Sequence, residues 1–254
     1  MSSEQGSYRR ILKATAIMGS ATVGSIVIGL VRTKIFALLL GPAGIGLFGL
    51  FQSIVQAAAS ASQLGLNVAG VVLLADRAAE PDQARRAKNA LWIATIIAAS
   101  AGGLLFWAFR HPLARLATGS EQYSDSIGWL ALGVALTVVA GSFTAALQAR
   151  RRTGDLARAT LWGAFVAATA GIALVYAMGA GGIVAALIAI PAGILFVAAL
   201  RAPDLARMEC RSGDLRQMVP LWNQLLKTGA VLWATALAGT ATQVAARAII
   251  ARQA

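Results

Sequence analysis

The sequence predicts an all-α polytopic membrane helix bundle, a six-helix N-terminal lobe followed by the first helix of a second lobe. Three observations carry that expectation. Hydrophobic residues make up 58% of the 254 positions and charged residues only 13%, against about 25% charged in soluble domains. Residues 35–75 and 159–200 contain no formal charge at all, and each run is about twice the ~20 residues that cross hydrocarbon as one helix. Neither run alternates apolar with polar residues as the strands of a membrane barrel would, so the spans are helices.

Taken in order, the apolar runs place about seven transmembrane helices near residues 14–38, 44–74, 89–109, 126–149, 157–178, 182–200 and 221–250. Residues 1–217 then form the six-helix lobe, and 218–254 begin a second, incomplete lobe. Gly41-Pro42-Ala43-Gly44 separates the first two spans. Proline lacks a backbone donor and glycine reaches torsions closed to other residues, so a reversal there costs less than continued helix. Gly179-Ala180-Gly181-Gly182 divides the fifth span from the sixth in the same way. The first apolar run is too long for a signal peptide and lacks a small-residue cleavage site, so it is expected to remain as the first span. Abundant Ala and Gly suit helices that pack backbone to backbone in lipid.

The net charge of +12 does not point to nucleic acid, because the 22 Lys and Arg residues fall mainly in short loops between apolar runs. Their distribution reports topology instead. With the N-terminus in the cytoplasm, sixteen of them lie inside, in clusters around Arg9, Arg85, Arg151 and Arg207, and only Arg110 and Arg115 lie in the opposite loops. The excess of basic loop residues on one side selects that orientation.

The proposed spans contain no Asp or Glu, and the single histidine, His111, has no partners at ligand spacing. The lone Cys210 cannot form an internal disulfide. No catalytic residue, metal site or cofactor is therefore expected, and the chain is not read as an enzyme. Arg32 and Lys34 do stand out, since a cation in hydrocarbon costs at least about 2.5–3.5 kcal/mol unless it reaches water or an anion. One reading has both snorkelling to headgroups; the other turns Arg32 toward a cavity, where its fork can grip phosphate oxygens. Two residues apart means about 200° of rotation, so the pair cannot both face one cavity. The second span carries Gln52, Gln56, Gln63 and Asn67 on one side at steps of four, seven and four. Such a stripe either bonds neighbouring helices or lines a watery path. Ala57-Ala58-Ala59-Ser60-Ala61-Ser62 reads as close helix packing. Ile11-Leu12-Lys13 and Leu225-Leu226-Lys227 align as a weak internal repeat that also brings Arg32 near Arg247, as two parallel copies of one unit would require.

Ile28-Gly29-Leu30-Val31-Arg32-Thr33-Lys34-Ile35-Phe36, followed by Leu40-Gly41-Pro42-Ala43-Gly44-Ile45-Gly46-Leu47-Phe48, resembles the first two helices of the polysaccharide-unit (O-antigen type) flippases. These belong to the superfamily of multidrug, oligosaccharidyl-lipid and polysaccharide exporters. The resemblance implies a two-lobed bundle of about twelve helices in the bacterial inner membrane, moving undecaprenyl-pyrophosphate-linked oligosaccharide across it by alternating access. It places Arg32 at a cationic position used toward the diphosphate. The expected substrate-binding residues are Arg32, Lys34, Gln52, Gln56, Gln63 and Asn67; the expected partners are the lipid-linked oligosaccharide, membrane lipids and a second subunit or missing C-terminal lobe. Two alternatives stay open: a multidrug exporter of the same superfamily, and a non-transporting half or membrane scaffold.

Overall fold

The computed structural model describes residues 2–77, 79–118, 121–206, 221–225 and 227–230, with side chains from Thr15 onward. Among these residues the chain is helical throughout, in the order α1 (Ser2–Gln63), α2 (Leu66–Asp76), α3 (Pro81–Ala108), α4 (Arg110–Thr118), α5 (Ser124–Ala149), α6 (Thr153–Met178), a 3-10 turn (Gly179–Gly181), α7 (Gly182–Arg201) and α8 (Pro203–Ala206).

Two apolar stretches, Thr15–Gln63 and Thr153–Arg201, are each 49 residues long. As straight rods they would extend about 74 Å, more than twice the ~30 Å hydrocarbon core. Each is folded back on itself. Within α1 the backbone leaves helical torsions at Gly41 (φ 70°, ψ −176°), followed by Pro42. A continuous helix would hold Phe36 and Phe48 about 18 Å apart along its axis, yet their ring centroids lie 5.2 Å apart, edge to face. The chain therefore reverses at Gly41, in a torsional region that only glycine enters without strain. The second reversal is the 3-10 turn, entered at Gly179 with φ 58°. Beyond it α7 lies against α6 so closely that a Cβ at Gly193 would sit 2.8 Å from the Gly163 carbonyl oxygen. Small residues permit that approach, which maximises dispersion contacts where lipid offers no hydrophobic drive.

With both reversals counted, the four long apolar helices supply six membrane-crossing limbs, making this a multi-pass helical membrane protein. Large apolar side chains on the outside, such as Leu30 (65% exposed) and Leu38 (79% exposed), face lipid. The interior has two apolar cores. One, near the reversals, gathers Phe36, Phe48, Phe51, Phe106, Ile127, Leu130 and Ile183. The other, toward the opposite end, gathers Leu73, Leu91, Trp92, Phe143, Leu147 and Leu205. Between α3 and α5 the buried Thr95 hydroxyl contacts Ser142 Oγ at 2.7 Å, a polar link shielded from lipid. Trp92 Nε1 donates to the Leu205 carbonyl at 2.9 Å and anchors α8.

Four expectations change. The second span does not run unbroken from 44 to 74: it breaks at Leu64 (φ 45°) and Gly65 (φ 74°), and α2 starts afresh at Leu66. The break fits a close backbone approach, since a Cβ on Gly65 would meet the Gly229 Cα at 2.9 Å. The third helix begins at Pro81 rather than near 89, with Pro in the first turn where its missing N–H costs nothing. Arg110 and Arg115, expected in a loop, lie within the short α4. The fifth span starts as early as Thr153, so Asp155 belongs to its first turn. Of the expected seventh span only 221–225 and 227–230 are described; its remainder, Arg247 and Cys210 lie outside the described residues.

Replacing Gly41 by Ala should lower stability by about 1–3 kcal/mol, the cost of a strained left-handed torsion. Gly46→Ala, in open helix with nothing within 4 Å of the new Cβ, should instead be neutral or stabilising by up to about 1 kcal/mol. Chemical denaturation of both variants in detergent checks the contrast.

Candidate functional site

The amide stripe becomes one wall of a cavity. Gln52, Gln56, Gln63 and Asn67 line a space of about 300 Å³ together with Thr137, Gly141 and Thr144 of α5 and Leu187 and Pro191 of α7. That volume is at the small end of ligand pockets, which run from about 300 to 1,000 Å³. None of its lining residues is charged.

Asn67 is carried by α2, beyond the break, so the four amides do not share one continuous helix. The break nevertheless leaves Asn67 Nδ2 donating to Gln63 Oε1 at 2.6 Å, and Gln63 Nε2 reaches the Thr137 carbonyl at 3.4 Å. Asn67 Oδ1 is buried with no donor among the described residues. A buried, unfilled acceptor costs about 1–3 kcal/mol, so a hydroxyl or amide brought by a ligand would be favoured there. The Thr137 and Thr144 hydroxyls donate to the Gly133 and Gly141 carbonyls in their own helix, both at 2.7 Å. Their oxygens remain available as acceptors. Pro191 lacks an N–H, which frees the Leu187 carbonyl one turn earlier, and both residues line the cavity. The wall as a whole supplies amides, hydroxyl oxygens and a released backbone carbonyl.

Sequence reasoning missed Thr137, Gly141, Thr144 and Pro191. Gly141 keeps the space open: a Cβ there would lie 2.7 Å from both terminal atoms of Asn67 and 3.0 Å from Gln63 Nε2. A proline inside an apolar run was the available signal for α7. The two threonines gave none, since in an Ala-rich helix they read as small packing residues.

Arg32 and Lys34 are not among the cavity's lining residues. Arg32 is half-buried, with its Cζ 5.5 Å from the Phe48 ring centroid, an attractive arrangement for a guanidinium over a π face. Its Nε is buried without a hydrogen-bond partner among the described residues. Phe48 precedes Gln52 by one helical turn, so Arg32 sits next to the reversal-side end of the amide wall. Lys34 is exposed on the outside of the same limb, as the rotation between the two residues requires. The Ala57–Ser62 segment packs only in part: Gly102 of α3 has no room for a Cβ beside Ser62 Oγ, while Ala57, Ser60 and Ala61 are exposed and Ala57, Ala58, Ala61 and Ser62 line an apolar cavity of about 860 Å³. Among the described residues no group of three or more His, Cys, Asp or Glu side chains could hold a metal ion.

No family model matches the sequence, and no curated protein matches it. Among solved structures the chain is similar to one described as the outward-facing conformation of a multidrug resistance MATE family transporter of the MOP superfamily. The TM-score is 0.62 at 15% identity, covering 82% of this chain and 50% of the other. At that identity the likeness is one of fold, and this chain spans half the length of the structure it matches.

If the cavity is water-filled, Gln56→Cys in a Cys210→Ser background should react with a membrane-impermeant maleimide, while Leu38→Cys on the lipid face should not. Labelling yields in intact membranes and after solubilisation check this contrast.

Proposed function

We propose that the chain is the N-terminal lobe of a flippase that moves an undecaprenyl-pyrophosphate-linked oligosaccharide across the bacterial inner membrane. The observation that carries the reading is the uncharged wall of amides and hydroxyls beside a half-buried Arg32 with an unpartnered Nε. Sugar hydroxyls both donate and accept, which suits amides, threonine oxygens and a free carbonyl. A diphosphate wants a guanidinium, whose planar fork meets two oxygens at once. The arrangement thus provides separately for the two polar parts of one lipid-linked substrate. In this reading Arg32 attracts the diphosphate, Gln52, Gln56, Gln63 and Asn67 face sugar, and Lys34 meets headgroups at the membrane surface.

The proposal extends to topology and assembly. Arg77, Arg85, Arg86, Arg150, Arg151, Arg152 and Arg201 gather at the end of the bundle opposite the two reversals, while Arg110 and Arg115 lie on α4 at the reversal end. The positive-inside rule then places the N-terminus and the basic end in the cytoplasm. Residues 1–217 form one lobe, 218–254 open a second, and a partner subunit or further lobe completes the transport path.

A second reading, export of a small drug, has the fold comparison on its side, because the similar structure's description names multidrug resistance. A cationic drug would want a carboxylate, and none lines the cavity. Arg32→Gln should lower transfer of lipid-linked glycan in a flipping assay by about tenfold, the worth of one lost charge-assisted hydrogen bond. Unchanged transfer at unchanged protein level would remove Arg32 from the site, and drug resistance conferred by the same protein would favour the second reading.

A further inference from the structure

At the end of the bundle away from Arg32 a second cavity, of about 700 Å³, opens where α2, α3, α5, α6 and α8 meet. Its floor is apolar, made by Leu74, Ala75, Ala84 and Ala149, and its charged wall is Arg150, Arg151, Arg152 and Asp204. Three cations face one carboxylate, so the lining keeps two positive charges in excess.

The three arginines differ in their attachments. Asp204 accepts from Arg150 Nη1 at 2.8 Å and from Arg152 Nη1 at 2.9 Å, and Arg152 Nε also meets Asp155 at 3.3 Å. Burial raises the Asp204 carboxyl, but the hydrogen bond and charge of Arg152 and the charge of Arg150 outweigh it and hold the group below the usual carboxylate range. Asp204 is therefore a permanent anion that fixes the two flanking guanidiniums. Arg151 has no carboxylate partner among the described residues, and it is exposed.

Arg151 also stands where backbone preference favours another residue. It is the single residue between the C-cap of α5 and the N-cap of α6, with φ 52°. Its N–H donates to the Gln148 carbonyl at 2.9 Å, and that of Arg152 to the Leu147 carbonyl at 3.1 Å. This is the left-handed helix-terminating position that glycine usually fills, because a side chain there clashes with its own backbone. An arginine at that position sacrifices stability and contributes a charge.

We infer that the Arg150–Arg152 cavity holds the headgroup of a dianionic lipid, with Arg151 as the cation that pairs with it. Asp155 is shared between Arg152 and Arg158, so the connected group keeps two positive charges in excess, which match two phosphate charges. The apolar floor suits a headgroup whose acyl chains continue into the bilayer, and would be poor company for a fully hydrated soluble ion. The site shares no lining residue with the amide cavity, whose nearest residue on α5, Thr144, stands five positions before Ala149, and it stands independently of the substrate proposed above.

The test uses the full chain in phosphatidylcholine bicelles doped with cardiolipin, with retained lipid counted by native mass spectrometry alongside thermal unfolding. Wild-type protein should retain cardiolipin in preference to phosphatidylcholine. Arg151→Gly should reduce that retention about fivefold, the worth of one cation at an anionic membrane surface, while its melting temperature stays level or rises. Arg151→Lys should keep most of the retention. Equal retention in wild type and Arg151→Gly, or no preference for cardiolipin, overturns the inference. Displacement of the lipid by inorganic pyrophosphate would also overturn it, by giving the site to a soluble phosphate.

Discussion

Everything in this molecule depends on where its backbone may turn. In hydrocarbon an unpaired N–H or C=O costs several kcal/mol, so a chain must stay helical until it reaches water or finds a compensating partner. Gly41 and Gly179 supply the two reversals within otherwise unbroken apolar stretches of 49 residues each. The first sets Phe36 against Phe48 and Arg32 over the Phe48 ring. The second lays α7 along α6 at the Gly163–Gly193 crossing. Without them neither the reversal-side core nor the amide cavity would have its walls.

A second kind of interruption gives the cavity its chemistry. Leu64 and Gly65 break the long second limb, and Pro191 interrupts hydrogen bonding within α7. Pro191 lines the polar space, and the Leu64–Gly65 break falls between two of its lining residues, Gln63 and Asn67, where released backbone groups have other polar atoms to meet. The Leu64–Gly65 break also lies against the backbone at Gly229. The segment that follows the six-limb bundle therefore contacts it at the point where the helix is already opened.

Much of this was legible in the sequence, for a physical reason. Hydrocarbon allows few solutions, so charge-free runs, Gly-Pro and Gly-rich punctuation and basic loop residues gave the spans and both reversals directly. The amide stripe was legible as well, because four polar side chains on one side of an apolar helix must avoid lipid. Three features were not. Leu64 in a left-handed conformation carries no local signal, being an ordinary helix former held there by its neighbours. Thr137 and Thr144 look like packing residues until α5 is brought against α1. Arg32 left open whether it snorkels or turns inward, until the reversal at Gly41 brings the Phe48 ring beneath its guanidinium.

In the proposed function the amide wall receives the sugar of a lipid-linked substrate. Placing a photoreactive amino acid at Gln56, in cells that make a lipid-linked glycan, tests it most directly. Irradiation followed by mass analysis should yield an adduct carrying sugar and diphosphate at Gln56, and none at the lipid-facing Leu38. No adduct at Gln56, or equal labelling at both positions, would contradict the claim.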